Sequence, residues 1–166
     1  GMIQHANFIV PNYHEGYSID DNARALIVST HLAELELGNG EALTLASRYL
    51  AFIGYAFNHE TGRFRNFMAY QRHWLEESGS DDSHGRTLWA LGTVLGRSNT
   101  PALQSMAGWL FEQALPAILE TTSPRAWAFT LIGIHEYLRR YDGDRRASQV
   151  RDELAGRLLA LYQHSR

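Results

Sequence analysis

Residues 88–91, Leu-Trp-Ala-Leu, predict a buried helix, because a helix containing them is apolar nearly all the way round. Similar runs occur at 25–28 (Ala-Leu-Ile-Val) and at 126–129 (Ala-Trp-Ala-Phe). Helices of this kind are buried on every side in a folded protein. The three runs therefore predict three inner helices. We expect these helices to begin near residues 21, 83 and 124.

The segments that follow these runs have apolar residues on one face only. They span about 41–57, 101–120 and 146–164. One-sided patterning is typical of helices at a protein surface. Inner and outer helices thus alternate along the chain, and the simplest packing is two concentric layers. The sequence predicts an all-α fold of about three αα-hairpins.

One region departs from the helical period. Residues 61–68 (TGRFRNFM) alternate polar and apolar side chains, which is the pattern of a strand or hairpin. We therefore expect a small β-hairpin insertion near 58–72, ahead of the second inner helix. No other β structure is expected in the chain.

The bulk composition indicates a folded domain with an apolar core. Of the 166 residues, 45% are hydrophobic and 11% aromatic, which is enough for a single domain over residues 1–166. The net charge is only -3 and the basic residues are scattered, so we expect neither a nucleic acid nor a membrane surface as a partner. No stretch reaches the roughly 18 apolar residues of a transmembrane helix.

The residue types that are missing exclude several kinds of chemistry. The chain contains no cysteine and no lysine, which excludes a cysteine nucleophile, a thiolate zinc site and a Schiff base. The eight histidines do not form an H-E-x-x-H motif or another ligand spacing on one helix, so no metal is expected. There is no glycine-rich phosphate loop, and no cofactor is expected.

The cytoplasm is the default location, because the start of the chain lacks the charged and apolar regions of a signal peptide. Gly1 before Met2 is typical of the remnant of a cleaved tag. Such a remnant would make the chain a piece of a longer protein.

The densest group of polar residues lies at 14–24 (HEGYSIDDNAR) and leads into the first inner helix. Its adjacent acids, Asp20 and Asp21, are candidate catalytic residues. The structural alternative is that one acid caps the helix and the other interacts with its positive end. However, two adjacent acids cannot both cap one helix. Candidate substrate-binding residues in this group are His14, Tyr17 and Arg24.

A second group at 74–86 (WLEESGSDDSHGR) repeats this arrangement ahead of the second inner helix. Asp81 and Asp82 are its candidate catalytic residues, and helix capping is again the alternative. Further candidate substrate-binding residues are Arg65, Trp74, His84, Arg86 and Arg125. Among them Trp74 is the best candidate to stack on a sugar ring, because it lies in a polar insertion.

Three arginines suggest an internal repeat, since Arg24, Arg86 and Arg125 each follow closely on an inner-helix start. The starts of successive inner helices would open on one rim, and a rim of this kind is a natural binding funnel. We therefore expect six of the candidate site residues to converge at this rim, together with His84. The six are Asp20, Asp21, Arg24, Asp82, Arg86 and Arg125.

The arginines also suggest how the acids divide their roles. If the arginines pair with Asp21 and Asp82, those carboxylates stay ionised. Asp20 or Asp81 is then the expected proton donor.

Three segments carry a resemblance to a known family. They are GYSIDDNARALI (16–27), FRNFMAYQRHWLEESGSDDSHGRTLWALG (64–92) and SPRAWA (123–128). They resemble the α/α-toroid region of bacterial glycosyltransferase-related and glycosidase-related proteins, where this region often follows a group 1 glycosyltransferase. The resemblance implies membership of the six-hairpin glycosidase-like superfamily, in which acids at inner-helix ends face a sugar. With three hairpins, the chain would be half of such a toroid.

Two functions are consistent with this resemblance. The first is a carbohydrate-active domain, glycosidase-like or associated with a glycosyltransferase, whose rim carboxylates act on a sugar substrate. The alternative is a non-catalytic helical module that binds glycans or serves as a scaffold for an attached glycosyltransferase. Opposed carboxyl groups across an open cleft would favour hydrolysis, and acids locked to arginines would favour the module. In either case we expect a homo-oligomer, or the remainder of the toroid, to cover the open flank.

Overall fold

The computed structural model describes residues 1–37 and 40–164, and within them the chain is mostly α-helical. The helices in these ranges are α1 (Ile19–Glu34), α2 (Glu41–Ala56), α3 (Asp81–Arg97), α4 (Pro101–Ala114), α5 (Pro124–Leu138) and α6 (Arg145–His164). A 3-10 helix, Leu115–Glu120, follows α4. Pro116 explains this change, because proline lacks the N–H that would continue an α-helix.

The helices form three successive hairpins, in which α1 packs against α2, α3 against α4 and α5 against α6. Within the described residues, α3 also packs against both α1 and α5, which makes it the centre of an inner row. The inner helices begin at Ile19, Asp81 and Pro124, within two residues of the predicted starts. The mostly helical class and the hairpin order are therefore confirmed.

Short strands occur in three antiparallel pairs. The strands are β1 (Ala6–Asn7), β2 (Val10–Pro11), β3 (Tyr17–Ser18), β4 (Phe57–Asn58), β5 (Arg63–Phe64) and β6 (Phe67–Met68). The β4–β5 hairpin lies in the expected insertion. The expectation of no β structure elsewhere is wrong, because β1 pairs with β2 and β3 pairs with β6.

The contact between α3 and α5 brings two backbones together. A Cβ at Gly92 would overlap the carbonyl oxygen of Gly133, and a Cβ at Gly133 would lie 2.5 Å from the carbonyl oxygen of Leu88. Glycine is required wherever two backbones approach this closely. Gly85 makes a third approach of this kind, against the backbone of Ala126.

Burial differs among the inner helices. The central α3 is covered on most sides, and Leu88, Leu91 and Val94 are fully buried. In contrast, Val28 of α1 is 57% exposed and Ile132 of α5 is 41% exposed. The prediction that all three inner helices are buried on every side is therefore correct for α3 only. The difference arises because α1 and α5 each lack a further inner neighbour among the described residues.

Within the described ranges, no helix combines the length and the apolar character needed to cross a bilayer.

Candidate functional site

Each inner helix begins with a serine cap, formed by Ser18, Ser80 and Ser123. The hydroxyl accepts a hydrogen bond from the backbone N–H three residues further on, at 3.2 Å from Asp21, 3.1 Å from Ser83 and 3.3 Å from Ala126. A serine in extended conformation satisfies one of the free N–H groups at a helix start. The caps fix the position of every side chain in the first turns.

The caps also define how the three helices correspond. Arg24 and Arg86 each lie six residues after their cap serine, whereas Arg125 lies two residues after its own. In this register Arg125 therefore corresponds to Asp20 and Asp82, and the alignment of Arg125 with the other two arginines is wrong. The position six residues after the third cap is Phe129, and the Arg86 guanidinium lies over its ring at 4.4 Å.

Carboxylates two residues after the cap link each inner helix to the next. Asp20 Oδ1 of α1 lies 3.0 Å from Arg86 Nε of α3, at an angle that makes the contact an ion pair rather than a hydrogen bond. Asp82 of α3 accepts hydrogen bonds from Ser123 and Arg125 of α5. Neighbouring helices are therefore joined by charge at this end of the inner row.

These residues surround one polar cavity, the rim cavity, with a volume of about 400 Å3. It is lined by Gln4, His5, Ser18, Asp20, Asp21, Arg24, Asn66, Phe67, Ser80, Asp82, Ser83, Arg86 and Arg125. The structure thus brings together Asp20, Asp21, Arg24, Asp82, Arg86 and Arg125, the six residues expected there alongside His84. Arg24 and Arg125 are its most accessible cations, with 54% and 71% of their side chains exposed.

The acids of the rim cavity are held by arginines. Asp20 Oδ2 lies 2.8 Å from Arg24, which also contacts Asp21 at 3.3 Å. Burial raises the pKa of Asp82, but the hydrogen bonds from Ser123 and Arg125 outweigh this effect, and the pKa lies below its ordinary value. Asp82 is therefore ionised at neutral pH, and its carboxylate is a hydrogen-bond acceptor.

Arg86 lies deeper in the rim cavity than the other two arginines. Burial lowers its pKa, and Arg24 and Arg125 add to this effect, whereas Asp20 and Asp82 oppose it. Only 13% of the Arg86 side chain is exposed. The cavity therefore has a partly desolvated cation at its base and two accessible cations above it.

Asp81 does not face the rim cavity. Its carboxylate accepts hydrogen bonds from Arg63 at 2.8 Å and from the backbone N–H of Thr122 at 3.0 Å. Burial raises the pKa of Asp81, but these contacts outweigh it and the pKa is lowered. Asp81 therefore does not fit the role of a proton donor. Arginines do contact Asp21 and Asp82, since Arg24 lies 3.3 Å from Asp21 and Arg125 pairs with Asp82, but Asp20 is also held, by Arg24 and Arg86.

His84 is placed in the core rather than at the rim. It is fully buried, its Nε2 lies 3.2 Å from the Ala114 carbonyl oxygen and its ring packs against Phe64. Burial lowers its pKa to about 3, so the ring is neutral. The turn of α3 explains this correction, because residues two positions apart, such as 84 and 86, point to different sides of a helix.

The other substrate-binding candidates also lie outside the rim cavity. Arg65 contacts Glu77 at 2.9 Å and lies over the Trp74 ring at 6.0 Å. His14 is exposed at the surface, where its backbone N–H donates to Asn12. Tyr17 lines a separate cavity on the opposite side of the β3–β6 pair.

Sequence reasoning missed two parts of the rim cavity. Asn66 Oδ1 lies 3.3 Å from the backbone nitrogen of Asp20, and Gln4 and His5 line the wall. They reach this place because β3 pairs with β6 and because Gln4 N–H donates to the Gly16 carbonyl oxygen at 2.8 Å. Contacts of such separation leave no periodic pattern in the sequence.

Among the described residues, no three His, Asp or Glu side chains are grouped so that they could hold a metal ion. Comparison with known proteins does not add a family. No family model matches the chain, and no curated protein matches it.

Proposed function

We propose that this chain is a non-catalytic carbohydrate-binding module whose ligand site is the rim cavity. The observation that carries the proposal is that each of the four candidate acids contacts an arginine. Arg24 holds Asp20 and Asp21, Arg125 holds Asp82 and Arg63 holds Asp81. A glycosidase needs a carboxylic acid with a raised pKa beside a second carboxylate. The pKa values of Asp81 and Asp82 are instead lowered.

Carbohydrate is the ligand class that suits these side chains. Sugar hydroxyls both donate and accept hydrogen bonds, and they are recognised by polar groups held in fixed positions. An aspartate paired with an arginine keeps free lone pairs that accept a hydrogen bond from a sugar hydroxyl, and the exposed guanidinium N–H groups donate hydrogen bonds. The rim cavity, with Asp20 and Asp82 beside Arg24 and Arg125, offers both functions close together.

For the wider architecture, we propose that the three hairpins form half of an α/α toroid. The inner row ends on α1 and α5, where Val28 and Ile132 are exposed. A second copy of the chain, or a further segment of a longer protein, would cover these apolar flanks. An attached glycosyltransferase, as implied by the motif resemblance, is the proposed enzyme for which the module holds glycans.

A glycan array followed by isothermal titration calorimetry tests the proposal. We expect a neutral oligosaccharide to bind, and we expect Asp82→Asn to weaken it about 10-fold to 100-fold, as for the loss of a charge-assisted hydrogen bond. Asp152→Asn is the matched control, because Asp152 also pairs with an arginine but is exposed on α6. Its affinity should equal that of the wild type.

Hydrolysis is measured on the same glycans by release of reducing ends. The proposal expects no release. It is overturned if the protein releases sugar in a reaction that Asp82→Asn abolishes, or if no glycan binds to the wild type.

A further inference from the structure

A second cavity lies behind the rim cavity, separated from it by the β3–β6 pair. The register pairs Tyr17 with Met68 and Ser18 with Phe67. Because successive side chains of a strand point to opposite faces, one pair faces each side. Ser18 and Phe67 line the rim cavity, and Tyr17 and Met68 line the second one, which has a volume of about 450 Å3.

Three aromatic rings, of Tyr17, Phe52 and Tyr55, form part of the wall of this second cavity, here called the aromatic cavity. It is lined by Gly1, Tyr17, Arg48, Ala51, Phe52, Tyr55, Met68 and Arg72. The Tyr17 and Phe52 ring centroids are 6.0 Å apart. Trp74 supports the wall from behind, with its ring 5.8 Å from Phe52 and 5.4 Å from Tyr55.

An adjoining hollow of about 300 Å3 extends the aromatic cavity. It is lined by Tyr17, Tyr70, Gln71 and Arg72. The Tyr17 and Tyr70 rings are nearly parallel, 11° apart, with their centroids separated by 6.4 Å. Tyr13 stacks on Tyr70 at 4.7 Å and continues the row of rings. Together the two hollows form a groove with aromatic faces along its length.

The charge of the aromatic cavity is positive and unbalanced. Its lining includes Arg48 and Arg72 but no aspartate or glutamate. Within residues 1–37 and 40–164, no carboxylate lies within ion-pair distance of either arginine. In the rim cavity, by contrast, each arginine has an acid partner.

Arg72 is held in place by a strained turn. Its φ angle is 66°, in the left-handed region that non-glycine residues seldom adopt. The turn is closed by hydrogen bonds from Arg72 N–H to the Ala69 carbonyl oxygen at 2.8 Å and from Ala69 N–H to the His73 carbonyl oxygen at 3.0 Å. The turn fixes the backbone from which the Arg72 side chain reaches the aromatic cavity.

We propose that the aromatic cavity binds a sugar that carries an anionic group, either a phosphate or a carboxylate. The anion lies between Arg48 and Arg72, where each guanidinium donates to its oxygens. The ring of the sugar packs its C–H face against Tyr17, Phe52 and Tyr55. The inference that the ligand is a sugar rests on the proposed carbohydrate function. The inference that it carries an anionic group rests on the two unpaired arginines.

Titration calorimetry with four probes tests this site. The probes are glucose 6-phosphate, glucuronate, glucose and inorganic phosphate. We expect one or both anionic sugars to bind at least 10-fold more tightly than glucose and than inorganic phosphate. The relative affinities of glucose 6-phosphate and glucuronate identify the anionic group. The site is overturned if neither anionic sugar binds, or if inorganic phosphate binds as tightly as they do.

Paired variants locate the binding. R48Q/R72Q should weaken the binding of the anionic sugar at least 10-fold. The control R145Q/R146Q, which removes the same charge from the exposed start of α6, should leave this affinity unchanged. Equal losses in both variants would overturn the proposal, since general surface charge would then explain the binding. Both pairs of arginines are exposed, so an unchanged unfolding temperature is expected for each variant.

Two further variants separate the contributions. Tyr55→Ala should weaken the binding of the preferred anionic sugar more than the binding of inorganic phosphate, because only the sugar ring contacts that wall. Asp82→Asn should leave the anionic sugar unchanged while it weakens the neutral glycan of the rim cavity. A loss of anionic sugar binding in Asp82→Asn would place that ligand in the rim cavity and overturn the second site.

Discussion

The two junctions of the inner row, α3 with α5 and α1 with α3, are built in different ways. At the first junction, Gly85, Gly92 and Gly133 let the two backbones touch. The first junction also has charged pairs, Asp82–Arg125 and Arg97–Glu136. The second junction has no glycine on α1, and charged pairs link its two ends. Asp20 contacts Arg86 at one end, and Glu34 contacts Arg97 at 3.2 Å at the other.

One row of helices is thus held together by two kinds of force. Backbone contact depends on shape, so it is insensitive to salt and pH but does not tolerate an added methyl group. Ion pairs near the surface tolerate substitution but depend on salt and on protonation. The rim cavity spans both junctions, and its geometry therefore depends on both.

The largest effect is expected from Gly92→Ala. The new Cβ would overlap the Gly133 carbonyl oxygen, which is backbone and cannot move aside. We expect the free energy of unfolding to fall by about 3 kcal/mol, as for other overpacked sites. Chemical denaturation measures this loss.

Gly156→Ala is the control for that substitution. Nothing lies within 4 Å of a Cβ at Gly156 in α6, so this variant should gain up to about 1 kcal/mol from the better helix propensity of alanine. A Gly92→Ala variant as stable as the wild type would refute the account of the α3–α5 junction.

An intermediate effect is expected from Arg97→Gln. Arg97 contacts Glu136 of α5 at 2.9 Å as well as Glu34, and the Glu136 side chain is only 10% exposed. Because Arg139 still contacts Glu136, we expect a loss of about 2 kcal/mol rather than the full cost of a broken buried pair. Denaturation at neutral pH gives this value.

The pH dependence of the same variant tests the ion pair between Arg97 and Glu136 directly. Burial raises the pKa of Glu136, but Arg97 and Arg139 outweigh it, and the folded-state pKa lies below the ordinary 4.5. The stability from this group is thus present above pH 4.5 and is lost as the pH falls through the folded pKa. The Arg97→Gln variant should therefore lose less unfolding free energy than the wild type as the pH falls below 4.5. An equal loss in the variant and the wild type would contradict this role of Arg97.

The smallest effect is expected from Asp20→Asn. It removes the carboxylate beside Arg86 and leaves that guanidinium near Arg24 and Arg125. The pair is only partly buried, so we expect a loss of about 1 kcal/mol. Raising the sodium chloride concentration to about 1 M should reduce the difference from the wild type. A salt-independent loss would argue for a packing role.

The helical framework could be predicted from the sequence because its signals are local. The run at 88–91 lies in the buried α3, and the serine caps place the helix starts near the predicted positions. The acids and arginines of the rim cavity lie within two turns of those caps. Local spacing was therefore enough to bring six of these residues to one place.

The remainder depended on contacts that local patterns do not contain. The orientation of His84 follows from how α3 is rotated against Phe64 and Ala114, and no periodicity fixes that rotation to one residue. The choice of Asp20 rather than Asp21 as the partner of Arg86 depends on the spacing of two different helices. The β3–β6 pair joins residues about fifty positions apart. The alternation at 61–68 covers β6, but nothing in the local pattern marks β3 at 17–18 as its partner strand.

The β3–β6 pair also restricts how this protein can change during evolution. A single substitution at 17 or 68 alters one cavity, and a single substitution at 18 or 67 alters the other, so the two cavities can change independently. An insertion or deletion of one residue beside either strand would alter both cavities at once. It would shift the register by one and turn every following side chain to the opposite face. Homologues should therefore vary in the identity of these four residues far more freely than in the length of the segments that carry them.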